Sequence, residues 1–552
     1  MKKSILLLAL FFLSLFIVSE NSAQKAKSSK KAEVKPKTRQ EIIDSLKTEL
    51  KQAKSDTNKV NILNGLAAKF IEINPDSAMF YAKVGIQLAV SLQYDIGITD
   101  GYYNLGNIHL SKFSFDTAMV NFEKSLEIAK KVKNNEGIGN CFIGIANCFA
   151  SKKNFDEAKK YLKDALLLFT KDNNKSVEWL ANYSYGELYR KEGNSDSAIY
   201  YYKKALTISE SKYDEIQQSK SLGAIGTIYG MISEYSKALD YYEKALKIVE
   251  KIDDKKGIAI WYGAMGIVYM YLSDFNKALE IYKIALNLSE EINDKNGIHR
   301  NVGNIGLIYG FLSDYPKALE FYQKALNLSK DIGDRNSECT ILGNIGLTYF
   351  SLSNFPAALD YYEKALNLAV ELGDKFAESR NLHNIGNVYI SFQKYQSALE
   401  NFNRALTISE QIKDKMSVSS ILGSIGNVYN DYLGNYPKAK EYYEKSLNID
   451  ELIGNRRGIS ITTGLLGNLY LNLKNFSKAL EYYEKALALA DESGDIYGRY
   501  VNLNNIGGIH YQIASDNSGI DSISNIEHLR KSVEFKEKAI EGFKEIGELR
   551  EM

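Results

Sequence analysis

The chain has 552 residues, 45% hydrophobic and 25% charged, with a net charge of +1. That is an ordinary composition for a soluble folded chain. Residues 1–39 hold nine Lys/Arg against two Asp/Glu, which leaves the remaining 513 residues at −6, a body with no general attraction for phosphate backbones and no reason to bind nucleic acid.

The N-terminus reads as an export signal. Lys2 and Lys3 precede a 14-residue apolar run, Ile5–Val18, and small and polar residues follow as far as Ala23. The run is shorter than the roughly 20 residues of a membrane span. A signal peptide over 1–23, cut after Ala23, and an exported chain, periplasmic or extracellular, are therefore expected. The alternative is an uncleaved anchor at residues 5–18, the one case in which a membrane is a partner. No cysteine stands here to take a lipid. Residues 24–39 form a basic, low-complexity tether, and 40–57 read as an N-terminal capping helix.

From residue 58 onward the chain is periodic. Gly106, Gly186, Gly226, Gly266, Gly306, Gly346, Gly386, Gly426, Gly467 and Gly507 recur at a step of 40, with Ala146 in the one gap and one extra residue between Gly426 and Gly467. Such a period marks a stack of identical supersecondary units. In one unit Ile258, Tyr262, Met265, Tyr269 and Leu272 step as one helical face, and Phe275, Ala278, Tyr282, Ala285 and Ile292 as a second. Ser273-Asp274 separates them as a cap-and-turn signal. Pro316, Pro356 and Pro437 open second helices in sister units. Gly333, Gly373, Gly454 and Gly494 close them, and Asp254, Asp294, Asp334, Asp374, Asp414 and Asp495 cap the helices that follow.

The glycine within the first helix costs about 1 kcal/mol relative to alanine. It is expected where two helix backbones approach, with Ala278 and Ala285 as the other small sites and Tyr269 and Tyr282 filling the space around them. A further glycine three residues earlier (Gly223, Gly263, Gly303, Gly343, Gly423, Gly464) serves either ligand approach or the packing of adjacent first helices. Cys141 and Cys148 lie seven apart on one helix, about 10 Å and beyond disulfide reach. Cys339 is five units away, so no disulfide is expected. In the last unit the first helix reaches about Ala514, a polar insertion covers 515–525, and the second helix ends near Gly547. That unit lacks a polar cap, so the chain continues, self-associates through its C-terminal unit, or tolerates the exposure.

Leu222, Ile225, Gly226, Tyr229, Ala238, Tyr242 and Ala245 match the tetratricopeptide repeat in residue class and spacing. The chain resembles that family over about residues 58–547. It departs in carrying leucine where the family often has tryptophan, in lacking a proline to close the second helix, and in a period longer than the usual roughly 34 residues. In these respects it is similar to kinesin light chains and to Leu-Gly-Asn repeat scaffolds, whose tripeptide recurs as Leu342-Gly343-Asn344. The resemblance implies an all-α, right-handed superhelical solenoid of antiparallel helix pairs, about twelve units over 58–552. It also implies a non-catalytic scaffold or adaptor that holds a protein or peptide segment in its concave groove, without a cofactor.

Carried over position by position, the resemblance puts Asn304, Asn344 and Asn384 in the groove, two residues before the glycine. An asparagine both donates and accepts, which suits the backbone of an extended peptide; the alternative is bonding to one another or to neighbouring carbonyls. Ile267, Leu307 and Leu347, then Met270, Tyr271, Phe311 and Phe350, form an apolar strip if they are exposed, or pack on the adjacent helix if they are not. Asn387 and Asn427 make the groove polar further on, and Arg300 and Arg380 charge its rim.

No nucleophile with a base, phosphate loop or metal-ligand cluster is present in the sequence, so neither enzyme nor metal site is expected. His109 and His510 take the place of core tyrosines. A rival reading is the extracytoplasmic sensory half of a signalling protein, of the histidine kinase or nucleotide cyclase type, with its membrane and output domains beyond or outside this chain. Mass spectrometry of the exported protein is expected to find a mature start at Gln24; an intact Met1 in a membrane fraction would show the anchor instead.

Overall fold

The computed structural model describes residues 39–71, 74–112, 114–172, 175–493, 495–516 and 522–551. The leader, the tether up to Thr38 and the expected helix terminator Gly494 lie outside them. Every described element is helical, and the described residues divide into two compact bodies, one up to Gly137 and one from Ile138 onward.

In the first body the helix Arg39–Gln52 sets Ile43 against Ile62 and Leu66 of Thr57–Phe70. Thr57–Phe70 pairs with Pro75–Ser91, and Asp95–Ser111 with Phe115–Lys131. Ala67, Ala78, Ala82, Leu105 and Ile108 make their shared core. Asn64 Nδ2 donates to Gly97 O at 2.9 Å and Asn104 Nδ2 to Asn64 O at 3.0 Å, so buried amides tie these units through backbone carbonyls.

The second body repeats one pair of helices, as in Lys255–Tyr271 with Phe275–Glu291, then Lys295–Phe311 with Tyr315–Ile332. No pair covers its own apolar face. Ala318, Tyr322 and Ala325 of one unit close over Ile341, Leu342 and Ile345 of the next, so burial is shared between neighbours. Cys141, Cys148 and Cys339 are buried, and no disulfide joins them.

The links follow one pattern. Ser233, Ser273, Ser313 and Ser353 have φ between 57° and 63°, a left-handed residue placed straight before the next helix. Gly333, Gly373 and Gly454, at φ 73°, 69° and 68°, do the same after second helices, where glycine carries no Cβ penalty. Asp334, Asp374, Asp414 and Asp495 each accept from a backbone N–H of the first turn. Asp254 and Asp294 stand at the same position without that bond.

The repeated glycine seats a ring. A Cβ built on Gly266 would stand 2.7 Å from the ring of Tyr282, on Gly306 2.9 Å from that of Tyr322, and on Gly346 2.8 Å from that of Tyr362. These tyrosines are essentially fully buried. The close approach expected of two backbones is thus an approach of ring to backbone, and at Gly226 a backbone atom, Ala238 O, also comes within 3.2 Å. The second glycine is a packing site. A Cβ built on Gly343 would stand 3.4 Å from Asn381 Oδ1 and one on Gly464 3.3 Å from Asn502 Oδ1, both from the following first helix, whereas one on Gly303 would meet open space.

The extra residue after Gly426 is taken up as a π-turn. The helix Lys415–Asn427 widens at Val428–Tyr432 before Gly434 and the cap Asn435, as an inserted residue in a helix commonly does. In the last unit the first helix runs to Asp516 and the second spans Ser522–Glu551. Residues 515, 516 and 522–525 of the expected polar insertion are thus helical and the second helix passes Gly547, while residues 517–521 lie outside the described ones.

Gly346→Ala is expected to destabilise its unit by about 1–3 kcal/mol, because the ring of Tyr362 has nowhere to go. Gly303→Ala is expected to stabilise by up to about 1 kcal/mol through helix propensity alone. Hydrogen exchange resolved by unit checks both; effects of the same sign would show that ring seating does not govern the site.

Candidate functional site

Within the second body, successive first helices touch one another more closely than successive second helices do. The first helices therefore line the inner side of the stack. At about 100° per residue, the positions six and two residues before the glycine and one and five after it share a face pointing away from the second helix. Arg300, Asn304, Leu307 and Phe311 occupy it in the Gly306 unit, and Asn344 and Leu347 in the next. Met270 and Phe350, four after the glycine, turn toward the core.

Burial agrees with that division. Ile267 is 43% exposed and Leu347 53%, while Leu307 is half-buried against the Ala318–Tyr322 core. Met270 packs with Tyr282 and Ile305, and Phe350 with Tyr362 and Ile385, so both leave the apolar strip. Tyr271 and Phe311 are exposed yet lie over the start of the preceding unit's second helix, Tyr271 stacked on Tyr235 at 5.9 Å and Phe311 on Phe275 at 5.3 Å. They make a rim. Arg300 and Arg380 are exposed.

The asparagines divide into two sets. Asn304, Asn344 and Asn384 are half-exposed, and among the described residues no group bonds their side chains. Asn301, Asn381 and Asn502, five before the glycine, are buried. Asn301 Nδ2 donates to Ser289 Oγ at 3.3 Å and Asn381 Nδ2 to Ala377 O at 2.9 Å. The amide-to-neighbour alternative therefore describes the second set, which the spacing did not single out, and Asn104 in the first body.

Position one past the glycine has a structural task as well. Tyr443 donates its hydroxyl to Asn427 Oδ1 at 2.7 Å, Tyr483 to Asn468, and Tyr242 to Thr227 Oγ1 at 3.1 Å. Asn427, expected to make the groove polar, is thus engaged through its Oδ1 within its own unit. Asn387 is half-exposed opposite Phe402, which has no hydroxyl to give it.

Sequence reading missed the stretch from Trp179 to Trp261. Glu187, at that same position, accepts from Tyr202 Oη at 2.5 Å through Oε1 and from Arg190 Nη2 at 2.7 Å through Oε2. The pair lines a cavity of about 270 Å³ with Tyr183, Gly223 and Trp261. The signal was in the sequence: no other unit sets an acid one past the glycine with arginine three further on.

Five segments match the tetratricopeptide repeat family model, residues 98–171, 177–251, 257–331, 337–411 and 417–492. Residues 30–112 match the SusR N-terminal TPR domain. No curated protein matches the chain. Among solved structures, the apo form of RapI is similar at 16% identity, over 65% of this chain and 99% of its own, with a TM-score of 0.48. The apo quorum sensor NprR from B. thuringiensis is similar at 15%, over 61% and 96%, with 0.46. Aspartyl phosphate phosphatase F from Bacillus subtilis is similar at 15%, over 64% and 94%, with 0.45. With identities this low and scores below 0.5, none bears on what this chain binds.

One histidine on the first helices carries a pH dependence. His383 Nε2 meets Ser424 Oγ of the next unit at 2.8 Å, and burial pushes its pKa down to about 4. It stays neutral in the folded chain while an unfolded chain protonates near 6.5. Its contribution is complete above pH 6.5 and is lost as pH falls toward 4, a loss of about 1–3 kcal/mol. Denaturant melts across that window are expected to show the decline, and His383→Gln to flatten it; an unchanged slope in the variant would place the dependence elsewhere.

Proposed function

Because the chain belongs to the tetratricopeptide repeat family, we propose that it is a non-catalytic adaptor holding an extended peptide segment of a partner protein along its first helices. An array of this family is a protein-binding scaffold. The observation that carries the finer reading is the ladder of Asn304, Asn344 and Asn384. These are three half-exposed amides in consecutive units with no partner among the described residues, flanked by exposed Ile267 and Leu347. Neighbouring packed helices lie about 10 Å apart, and an extended chain rises about 3.3 Å per residue. Each amide therefore meets about every third residue of the bound backbone, and the apolar side chains beside it take the intervening ones.

The reading is of binding only: adaptor and partner associate without a reaction and without a cofactor. On the strength of the Ile5–Val18 run we place this activity outside the cytoplasm. No helix among the described residues is long and apolar enough to cross a membrane.

Asn344→Ala with Leu347→Glu removes one rung and charges the strip without touching the core. Selection from a displayed random-peptide library is expected to enrich ligands on the wild-type chain, and the double variant to bind them at least about tenfold more weakly. Helicity and melting stay unchanged. Lys324→Ala, on the exposed side of a second helix, serves as the control. Equal binding by the double variant would end the proposal.

A further inference from the structure

The first helices of the Gly186, Gly226 and Gly266 units are Lys175–Glu192, Glu215–Met231 and Lys255–Tyr271. They enclose the cavity of about 270 Å³ noted above. Its walls are aromatic and held in place. Trp261 Nε1 donates to Ser219 Oγ at 2.8 Å, its ring lies directly on Gly223, and Tyr242 stacks behind it. Opposite, Tyr183 is held between Trp179, stacked at 5.0 Å, and Tyr202, edge-on at 5.3 Å. Trp179 Nε1 in turn donates to Ser221 Oγ at 3.1 Å. Both indoles are thus fastened to the middle helix, one from each side.

Glycine at 223 makes the space. Any side chain there would occupy the position of the Trp261 ring, and alanine at 224 keeps the floor low.

The polar end of the cavity is Glu187 with Arg190. Arg190 gives Nε–H and Nη2–H to one carboxylate oxygen of Glu187, and Tyr202 gives its hydroxyl to the other. A guanidinium has five N–H groups, so donors remain that Glu187 and Tyr202 do not take, and each carboxylate oxygen has lone pairs to spare. The pair is neutral as a whole. A second carboxylate would be repelled by Glu187 and a cation by Arg190, whereas a neutral hydroxyl both accepts from Arg190 and donates to Glu187. The volume lies below the roughly 300–1,000 Å³ of pockets that take drug-sized ligands, so it holds one ring with its substituent.

We propose that this cavity seats a phenol ring, the side chain of one tyrosine in the bound segment, with the ring between Trp261 and Tyr183 and its hydroxyl on Glu187 and Arg190. The identity of the host segment rests on the peptide-binding reading above; the phenol site itself does not.

The chain contains two tryptophans in all; Trp261 lines this cavity and Trp179 stacks on Tyr183, which lines it, so the intrinsic emission of Trp261 reports on it directly. Titration of the full chain with p-cresol and with N-acetyltyrosinamide, excited at the red edge of tryptophan absorption, is expected to give a saturable change, retained in Trp179→Phe. N-acetylphenylalaninamide is expected to bind about tenfold more weakly and N-acetylleucinamide not measurably. Ala224→Phe, which fills the cavity, is expected to abolish the response. Arg190→Met is expected to erase the preference for phenol over phenyl. Should Arg190→Met fold poorly because Glu187 is left alone, Glu187→Gln with Arg190→Met removes both charges and reads the same preference. No saturable response to either phenol, an equal response to N-acetylleucinamide, saturation by methyl α-glucoside, or a phenol preference that survives loss of the charged pair would each overturn the assignment. The Asn344→Ala, Leu347→Glu variant keeps an intact cavity. Phenol binding by a wild-type chain that enriches no peptide from the library would therefore count against the groove and not against this site.

Discussion

A buried aromatic ring packed on a glycine backbone sets the geometry of eight units of the second body, from Gly186 to Gly467. Tyr202, Tyr242, Tyr282, Tyr322, Tyr362, Phe402, Tyr443 and Tyr483 project from second helices onto the glycines of their own first helices. A Cβ at the glycine would enter the ring. The helix accepts the propensity loss, about 1 kcal/mol, because burying an aromatic side chain recovers more, about 1.5–3 kcal/mol. The ring then sets the distance and rotation of the two helices, and the rotation decides which first-helix positions face inward. The 40-residue step is the length of two 17-residue helices and two three-residue links. Where a second helix gains a residue, as in Tyr315–Ile332, its link shortens and the left-handed residue, Gly333, keeps its register.

The same contact divides labour on the inner face. The phenol oxygen of the seated tyrosine needs a partner once buried, and the residue one past the glycine is the nearest side chain able to supply it. Thr227, Asn427, Asn468 and Glu187 do so. Ile267 does not, and the Tyr282 hydroxyl is left buried without a partner among the described residues. An unmet buried hydroxyl costs about 1–3 kcal/mol. The Gly266 unit therefore gives up stability where it presents an apolar surface.

The Gly186 and Gly426 units depart from this regularity in different ways. In the first, an acid and an arginine replace the usual inner-face pair, and Trp261 and Tyr183 line a cavity with them. In the second, one added residue becomes a π-turn that buries Asn430 beside Asp431 and carries Tyr432 onto Tyr395 at 4.7 Å. The units between them hold the unpartnered asparagines. Regular units thus form the frame, and chemical individuality is confined to single positions on their first helices.

Sequence periodicity alone determined the helix pairs, their links and the aromatic core, because each depends on spacing within one unit: Tyr282 follows Gly266 by sixteen residues, Tyr443 follows Gly426 by seventeen across the added residue, and Gly333 ends a helix. The inner-face assignment of Asn344 and Leu347 was legible for the same reason, since one helix turn fixes both. Contacts between units decided the rest. Met270 and Phe350 look like neighbours of Ile267 and Leu347 along the chain, but they turn into cores completed by the following first helix. Asn381 is hidden because it reaches the preceding unit's Gly343, and Asn384 stays open because nothing reaches it. Tyr183 and Trp261, 78 residues apart in sequence, become two walls of one cavity only when three first helices stand side by side. Spacing within a unit is written in the chain; which side chains a neighbouring unit covers, and which it leaves exposed, is settled by packing.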